Sequence, residues 1–300
     1  MAVAATGFFD GVHLGHKQVI DQLCAVARAR GEESLLVTFW PHPRSVLQQD
    51  ADRLRLLSTL QEKRERCLAY GIDRFEVLPF SRAFSELSAE TFIREYLVDR
   101  LGVTTLVLGY DHRLGHDRFE STEQMMETVS RCGVTPVRVE AFSEGTDRII
   151  SSTQVRKALG AGDVVLAERM LGYRYAMLGV VVAGNKLGRK LGFPTANMQL
   201  YEPLKLVPAN GVYAVWVDVL GQRYNGVCNI GTRPTVGMGN ARTIETHILG
   251  FDQDIYGLDM SIEFCARLRD ERRFDSLDLL RQQLGADCQK AAEIIGDSIN

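Results

Sequence analysis

The sequence has no apolar segment long enough to cross a bilayer. Its longest uncharged, mostly apolar run, from Tyr175 to Gly184, has about ten residues, whereas a membrane-spanning helix needs about 20. No positively charged segment followed by an apolar stretch opens the chain, so we expect no cleaved secretory signal. These two absences argue against a membrane protein and against a secreted one.

Cysteine is scarce, and its spacing matches no metal or redox motif. No two of the six cysteines form a CxxC pair. They are Cys24, Cys67, Cys132, Cys228, Cys265 and Cys288. Disulfide frameworks are typical of small secreted domains, and structural zinc sites usually have paired ligands. We therefore expect buried or half-buried thiols and a location in the reducing cytoplasm.

Positive charge is not in excess. The chain has 35 Lys and Arg against 38 Asp and Glu, which gives a formal net charge of −3. Proteins that bind the nucleic-acid backbone usually carry a basic surface, so we expect no nucleic-acid partner. The short apolar runs lead us to expect no membrane partner either. A local anionic ligand such as a nucleotide phosphate remains compatible, because a few well-placed donors are enough to bind it.

The composition that remains is that of a globular chain. Its 300 residues, 45% hydrophobic and 24% charged, are enough for two domains. In the first half, short apolar runs predict buried strands at Ala2–Thr6, Ser34–Phe39, Phe75–Pro79, Thr104–Gly109 and Thr135–Glu140. Amphipathic helices are predicted between them, so we expect an α/β domain with a Rossmann-like, parallel doubly wound sheet.

From Tyr175 onward, Val-, Ile- and Tyr-rich runs recur without helices between them. They predict strands at Met177–Val182, Val212–Val219, Tyr224–Ile230, Thr243–Leu249 and Asp259–Ala266. About five or six such strands favour a small antiparallel β-barrel, followed here by C-terminal helices interrupted near Gly285. We expect one domain over residues 1–160, a linker helix within 161–174, and a barrel domain over 175–300.

The first candidate site follows the first predicted strand, where residues 7–16 read GFFDGVHLGH. A helix that begins here would present free N–H groups and its positive dipole end to a phosphate, and the glycines let a ligand approach the backbone. His13 and His16 could donate hydrogen bonds to phosphate oxygens as charge builds during an in-line attack. Two other interpretations stay open: a metal site that adds Asp10 to the histidines, and plain capping and packing.

A second segment of the first half carries three hydroxyls, Ser151, Ser152 and Thr153, followed by Arg156. The hydroxyls lie at a predicted helix start, where one of them is enough to cap the helix. Three hydroxyls and an arginine one turn later can also bind a triphosphate.

The HLGH sequence, together with ISSTQVR over residues 150–156, resembles the nucleotidyltransferase superfamily. More closely, these segments are similar to the adenylyltransferase half of bacterial bifunctional riboflavin kinase/FAD synthetases, as are FWPHP over 39–43 and LGYDHRLG over 108–115. The resemblance implies a nucleotidyltransferase fold with the flavin near Pro43 and Asp111. It also implies ATP contacts at Gly7, Phe9, Asp10, His13, Gly15, His16, Ser151, Ser152, Thr153 and Arg156.

The second candidate site lies in the barrel half. A Walker A motif would require lysine at 185 and Ser or Thr at 186, but Asn185 and Lys186 stand there, and we expect no helix after them. The GRKLGFPTAN loop that follows, with Lys186 and Arg189, can fold over phosphates. Thr195 and Asn197 face the same way in an extended segment, and Mg²⁺ often takes only one or two protein ligands. A plain polar turn is the alternative.

Glu245 lies in the sequence TIETH, where polar residues alternate with Ile244 and Ile248. A carboxylate on the polar face of this strand could accept the proton of an attacking alcohol during phosphoryl transfer. An exposed strand face is the alternative interpretation.

Several segments of this half are similar to the riboflavin kinase half of the same family. They are GRKLGFPTAN, NGVY at 210–213, GVCNIGTRPT at 226–235, Glu245 and FDQDIYG at 251–257. The resemblance implies a six-stranded barrel with Mg²⁺ held by Thr195 and Asn197, and with Glu245 as the base toward the ribityl 5′-hydroxyl. It implies kinase ATP contacts at Gly184, Lys186, Arg189, Pro194 and Thr195.

Together the two resemblances cover nearly the whole chain and imply a bifunctional transferase. It would phosphorylate riboflavin to FMN with ATP, and then adenylylate FMN with a second ATP to give FAD and pyrophosphate. The expected partners are riboflavin, FMN and ATP, with Mg²⁺ as the cofactor. Two alternatives are another small-molecule nucleotidyltransferase with an accessory flavin-binding barrel, and a flavin-binding module without catalysis.

Overall fold

The computed structural model describes residues 1–47, 54–109, 114–117, 119–139, 150–184, 187–235 and 239–297. The chain divides into two compact units, Met1–Ser152 and Thr153–Asn300. Across the described ranges, no helix is both long enough and apolar enough to cross a membrane.

The first unit contains a parallel five-stranded sheet in the order β3-β2-β1-β4-β5. Its strands are β1 Ala2–Thr6, β2 Glu33–Trp40, β3 Arg74–Pro79, β4 Val103–Leu108 and β5 Thr135–Arg138. Both faces are covered: Ala4 and Leu35 belong to one apolar cluster, and Val3 and Leu36 to the other. Burial on two faces explains why the strands are continuous apolar runs. The predicted doubly wound sheet is confirmed.

Helices connect these strands, and their ends follow from local sequence. They are α1 Leu14–Arg30, α2 Pro43–Leu47, α3 Leu60–Ala69, α4 Arg82–Ser85, α5 Ala89–Thr91, a π-helical segment Phe92–Arg100 and α6 Thr122–Arg131. Helix α1 ends at Gly31, whose φ of 65° is left-handed and costs glycine little. Thr59 and Glu62 form a complete capping box at the start of α3.

The second unit is built on a closed barrel in the order β10-β7-β6-β11-β8-β9, with neighbouring strands antiparallel. Its strands are β6 Ala176–Val182, β7 Ala196–Leu200, β8 Gly211–Val219, β9 Gln222–Thr235, β10 Gly239–Ile248 and β11 Asp259–Arg269. The expected six-stranded barrel is confirmed. The helices of this unit are α7 Ser152–Ala161, α8 Val164–Leu171, α9 Leu187–Leu191 and α10 Leu277–Asp297.

Two expectations for this unit are wrong. A five-residue helix, α9, begins directly after Lys186, although the sequence predicted no helix there. The C-terminal segment is one helix, α10, rather than several helices interrupted near Gly285. Glycine inside a helix costs only about 1 kcal/mol relative to alanine, and α10 offsets it by packing Ala291 and Ile295 against Val212 and Val227 of the barrel.

All six cysteines are free thiols, four buried and two half-buried, as expected. Burial raises the pKa of Cys67 and of Cys228 to about 12. A thiol in this state is a poor nucleophile near neutral pH, so these two residues act as packing groups.

A buried ion pair fastens α10 to the barrel. The Arg269 guanidinium donates to both carboxylate oxygens of Asp287, at 2.8–3.1 Å, and Gln283 donates a further bond of 2.7 Å. Asp287 is only 3% exposed. Removing one partner of a buried pair leaves the other charge desolvated without compensation.

We expect Asp287→Asn to lower the free energy of unfolding of the second unit by about 3–5 kcal/mol, because Arg269 loses its buried counter-charge. Calorimetry of the full chain measures this as a downshift of one transition. The matched control is Asp278→Asn on the exposed first turn of the same helix, which should shift the transition little. Equal shifts in the two variants would show that the Arg269–Asp287 pair contributes nothing specific.

Candidate active sites

The loop between β1 and α1 carries the first candidate site at the carboxyl ends of the parallel strands. Phe9 and Val12 have φ values of 46° and 37°, in the left-handed region that β-branched and bulky residues avoid. The amide of Val12 donates to the carbonyl of Phe9 at 3.1 Å. Strain of this kind is held by its surroundings and is concentrated at functional sites.

Asp10 fixes this loop to a segment far along the chain. Its carboxylate accepts hydrogen bonds from the backbone amides of Leu57, at 3.0 and 3.2 Å, and of Ser58, at 3.1 Å. Asp10 as a whole is 5% exposed, and the Ser152 hydroxyl donates to the Asp10 carbonyl at 3.0 Å. Asp10 therefore shapes the loop, a role that the sequence did not indicate.

His13 and His16 stack on each other at the start of α1. Their ring centroids are 3.7 Å apart and their planes are inclined by 17°. His13 is the N-cap, and its Nδ1 accepts the bond of the His16 amide at 3.4 Å. In neutral His13 the proton must then be on Nε2, which becomes a donor. A Cβ at position 15 would lie 3.2 Å from the His13 ring, so Gly15 leaves room for the stack.

His16 is neutral near pH 7. Burial, the neighbouring His13 and the buried Lys63 hold the pKa of His16 well below its ordinary value. Within the part of the chain that the structure describes, His16 Nδ1 is buried without a hydrogen-bond partner. Buried polar atoms are rarely left unpaired, so this nitrogen is an available contact for a ligand.

The remaining predicted residues of this site are placed as follows. Gly7 directly follows β1, and a Cβ there would lie 3.0 Å from the Phe9 ring. Ser151 precedes α7 and Ser152 begins it, so the hydroxyls lie at a helix start as predicted. Thr153 and Arg156, on the same helix, belong to the second compact unit.

Half-buried aromatic rings cluster where β1, β2 and β3 end, a feature that the sequence analysis missed. The ring centroid of Phe8 lies 5.3 Å from that of Phe39 and 5.2 Å from that of His42. The ring centroids of Phe80 and Phe84 are 5.7 Å apart. Pro43, a predicted flavin contact, follows His42 and begins α2. Asp111, the other predicted flavin contact, lies outside the described residues.

Three cavities of the barrel unit meet at Thr195. One has a volume of about 330 Å³ and contains Glu245, and two smaller ones of about 60 and 20 Å³ are lined by Arg189 and Pro194. Thr195 lines all three. The smallest cavity also contains Gly184 and Asn197, so the predicted phosphate and metal residues lie together. Lys186, a further predicted ATP contact, lies outside the described residues.

Strand register aligns the polar side chains at this junction. Glu245 of β10 pairs with Asn197 of β7 on one side and with Asn229 of β9 on the other. Directly paired residues of antiparallel strands share a face, with Cβ atoms about 4.5–5.5 Å apart. Ile244, Thr246 and Ile248 are buried on the opposite face, which confirms the predicted alternation.

The largest cavity has one wall that sequence reasoning did not find. Phe274, Leu280 and Leu284 of the C-terminal segment face Val212 and Val227 of the barrel. Such a slot suits a flat, largely apolar ring. Glu271 also lines this cavity, and its carboxylate accepts a hydrogen bond of 3.0 Å from Asn210. The Arg269–Asp287 ion pair holds α10, the helix that carries Leu280 and Leu284. No quoted motif contains Glu271, Phe274, Leu280 or Leu284, because this wall joins the C-terminal segment to strands far from it in the sequence.

Among the residues that the structure describes, a metal site built from the usual strong ligands is not found. Within the described ranges, no group of three or more His, Cys, Asp and Glu side chains could hold a metal ion. The interpretation of Asp10 with His13 and His16 as a metal site is therefore not supported, since the Asp10 carboxylate is already bonded to Leu57 and Ser58.

Comparison with known proteins identifies an enzyme family for each half of the chain. A family model described as FAD synthetase matches residues 1–154, and one described as riboflavin kinase matches residues 171–295. The bifunctional riboflavin kinase/FMN adenylyltransferase of Bacillus subtilis is 38% identical and covers 97% of this chain and 91% of its own. The chain belongs to this bifunctional family. The Pseudomonas fluorescens member is 39% identical, over 99% of this chain and 94% of its own.

Membership of the riboflavin kinase/FMN adenylyltransferase family assigns both activities to this chain and excludes the two alternatives, since each half matches an enzyme family. A Streptococcus pneumoniae crystal structure, described as that of a macrolide-efflux protein, has a TM-score of 0.88 at 30% identity. It covers 95% of this chain and 92% of that protein. The efflux role is stated for that protein alone. For this chain, the match shows a shared fold in both halves.

Proposed function

We propose that the two activities use the two sites described above, with riboflavin phosphorylated in the barrel unit and FMN adenylylated at the β1–α1 loop. The observation that carries this division is the meeting of three cavities at Thr195, beside the row formed by Asn197, Glu245 and Asn229. An apolar slot for a ring and a polar pocket for phosphates meet there, as a flavin kinase requires. The corresponding functional domains are residues 1–160 and 175–300, joined by 161–174.

In the kinase, the isoalloxazine ring occupies the largest cavity and the ribityl 5′-hydroxyl reaches Glu245. Glu245 accepts the hydroxyl proton as its oxygen forms a bond to the γ-phosphorus of ATP. The bond from that phosphorus to the β,γ-bridging oxygen breaks, and ADP leaves. Arg189, Pro194 and Thr195 line both smaller cavities, Gly184 lines the smallest, and together they surround the phosphates. Positioning and charge neutralisation supply most of the rate in such a transfer.

Mg²⁺ fits the smallest cavity. Thr195 and Asn197 offer a hydroxyl and an amide oxygen, which are donors that a hard cation accepts alongside phosphate and water. A Cβ on Gly184 would overlap the Asn197 side chain, so this glycine keeps the space open. When bound, Mg²⁺ would neutralise phosphate charge.

In the adenylyltransferase, a phosphate oxygen of FMN attacks the α-phosphorus of ATP and pyrophosphate leaves. We assign hydrogen-bond donation to phosphate to His13 and His16, and further ATP contacts to Gly7, Phe9, Gly15, Ser151, Ser152, Thr153 and Arg156. Asp10 supports the loop. The flavin lies against the aromatic cluster near Pro43, where stacking on rings such as Phe8 suits a planar ligand.

We further propose that the protein works in the cytoplasm. The free, buried thiols fit a reducing compartment, where they need no protection from oxidation.

The glycine at the smallest cavity provides a test of the metal site. We expect Gly184→Ala to raise the Mg²⁺ concentration that half-saturates FMN formation by at least on the order of tenfold, because the added Cβ displaces Asn197. The control is Gly285→Ala, where the structure shows open space inside α10. An unchanged Mg²⁺ requirement in a folded Gly184→Ala protein would remove Asn197 from the metal site.

A further inference from the structure

His247 lies two residues after Glu245 on β10 and on the same face of the strand. It lines the largest cavity together with Glu245 and Thr195, and the chemistry proposed above gives it no role. Its Nδ1 lies 2.7 Å from the carbonyl oxygen of Pro194, the residue before Thr195. The ring also packs edge-on against Phe193, with centroids 5.4 Å apart.

The direction of the His247–Pro194 hydrogen bond follows from its acceptor. A carbonyl oxygen only accepts, so Nδ1 must carry the proton and donate. In neutral His247 the other nitrogen, Nε2, is then an acceptor. Protonation of the ring adds a second N–H but leaves the first in place, so the bond persists in both charge states.

The Pro194 carbonyl is a sensitive place to fix this loop. Proline has no N–H, so the carbonyl is its only main-chain hydrogen-bonding group. On the other side of the loop, the Phe193 amide donates to the Gly188 carbonyl at 2.8 Å. Strands β7 and β10 pair through Ala196 with Thr246 and through Asn197 with Glu245. His247 therefore holds the segment just before the ladder, where Thr195 lies.

We propose that His247 is a positioning residue of the kinase, which holds Pro194 and thereby fixes Thr195 at the junction of the three cavities. The proposal rests on the proposed roles of Thr195 and Glu245. It gives His247 no contact with the transferred phosphoryl group and no proton to move. His247 acts on the position of Thr195, which lies between the two smaller cavities proposed for phosphate and the larger cavity proposed for the flavin ring.

Two amide substitutions separate the two ring nitrogens. The side-chain nitrogen of asparagine is attached at the same position as Nδ1, whereas that of glutamine reaches about as far as Nε2. We expect His247→Ala and His247→Gln to lower kcat for FMN formation by up to about 10²-fold, the loss that a displacement near 1 Å can cause. We expect His247→Asn to recover most of that loss.

The same preparations contain their own controls. Conversion of FMN to FAD should stay at the wild-type rate in all three variants, which shows that the first unit is folded. The dissociation constant of riboflavin, followed by flavin fluorescence in each variant, should change little compared with kcat. A variant that fails only because its barrel is unfolded would also lose riboflavin binding, and that result overturns the proposal.

Two other results would also overturn it. If glutamine preserves kcat and asparagine does not, Nε2 is the functional nitrogen and His247 contacts a substrate. If alanine leaves kcat unchanged, the bond to Pro194 does not position Thr195. Thr195→Ala, assayed in parallel, separates these outcomes from an error in the proposed site, because its full activity would refute the site and not the link to His247.

Discussion

Glu245→Gln should lose riboflavin phosphorylation by about 10²–10⁴-fold and keep the conversion of FMN to FAD, because a general base contributes that much to such a step. Glutamine has nearly the shape of glutamate, so the row with Asn197 and Asn229 should survive. It cannot accept the 5′-hydroxyl proton as a carboxylate does. The measurement is chromatography of flavins, started from riboflavin in one assay and from FMN in the other.

The matched control for Glu245→Gln is Glu263→Gln. Glu263 is on β11 of the same barrel, where it accepts a bond of 2.9 Å from Arg223 and lines none of the three cavities. It should keep both reactions. If Glu245→Gln still forms FMN at the wild-type rate, Glu245 is not the base. If both reactions collapse in a folded protein, the division into two sites is wrong.

Much of the architecture could be predicted from the sequence, because the burial of each strand determines where its apolar residues occur. Strands covered on both faces, such as β1 and β4, are uninterrupted apolar runs, and β10 alternates because only one of its faces is buried. β7 was missed for the opposite reason. Its Asn197 and Gln199 alternate with Ala196, Met198 and Leu200, and five residues without a β-branched or aromatic side chain are a weak signal for a strand.

The sites were only partly readable, because motifs report residues that are close in sequence. His13, Gly15 and His16 lie within one turn and share a visible pattern. The bonds from Asp10 to Leu57 and Ser58 join positions far apart, and so does the contact of α10 with the barrel. Hydrogen bonds and packing of this kind depend on the tertiary fold, and no local periodicity predicts them.

His16→Ala should lower FAD formation from FMN by on the order of 10²–10³-fold, the usual loss when one donor to a developing negative charge is removed. FMN formation from riboflavin should be unchanged, so the two products measured from one preparation give the comparison. Lys17→Gln on the same helix is the control, since Lys17 makes an exposed pair with Asp21. Normal FAD output from His16→Ala would show that His16 does not act on the phosphate.

The same substitution should change how acid affects the first unit. Burial, with His13 and Lys63, keeps the pKa of His16 below the ordinary value of 6.5, so the unfolded chain takes up a proton there before the folded chain does. As the pH falls below about 6.5, protons bound by the unfolded state favour unfolding, and stability is lost. Alanine cannot titrate, so His16→Ala should lose less stability than the wild type between pH 7 and 5. Thermal unfolding of both proteins at several pH values measures this difference. An equal loss of stability in both would mean that His16 is protonated as easily in the folded chain as in the unfolded one. The donor assigned to the adenylyltransferase site would then be a cationic His16 and not a neutral one.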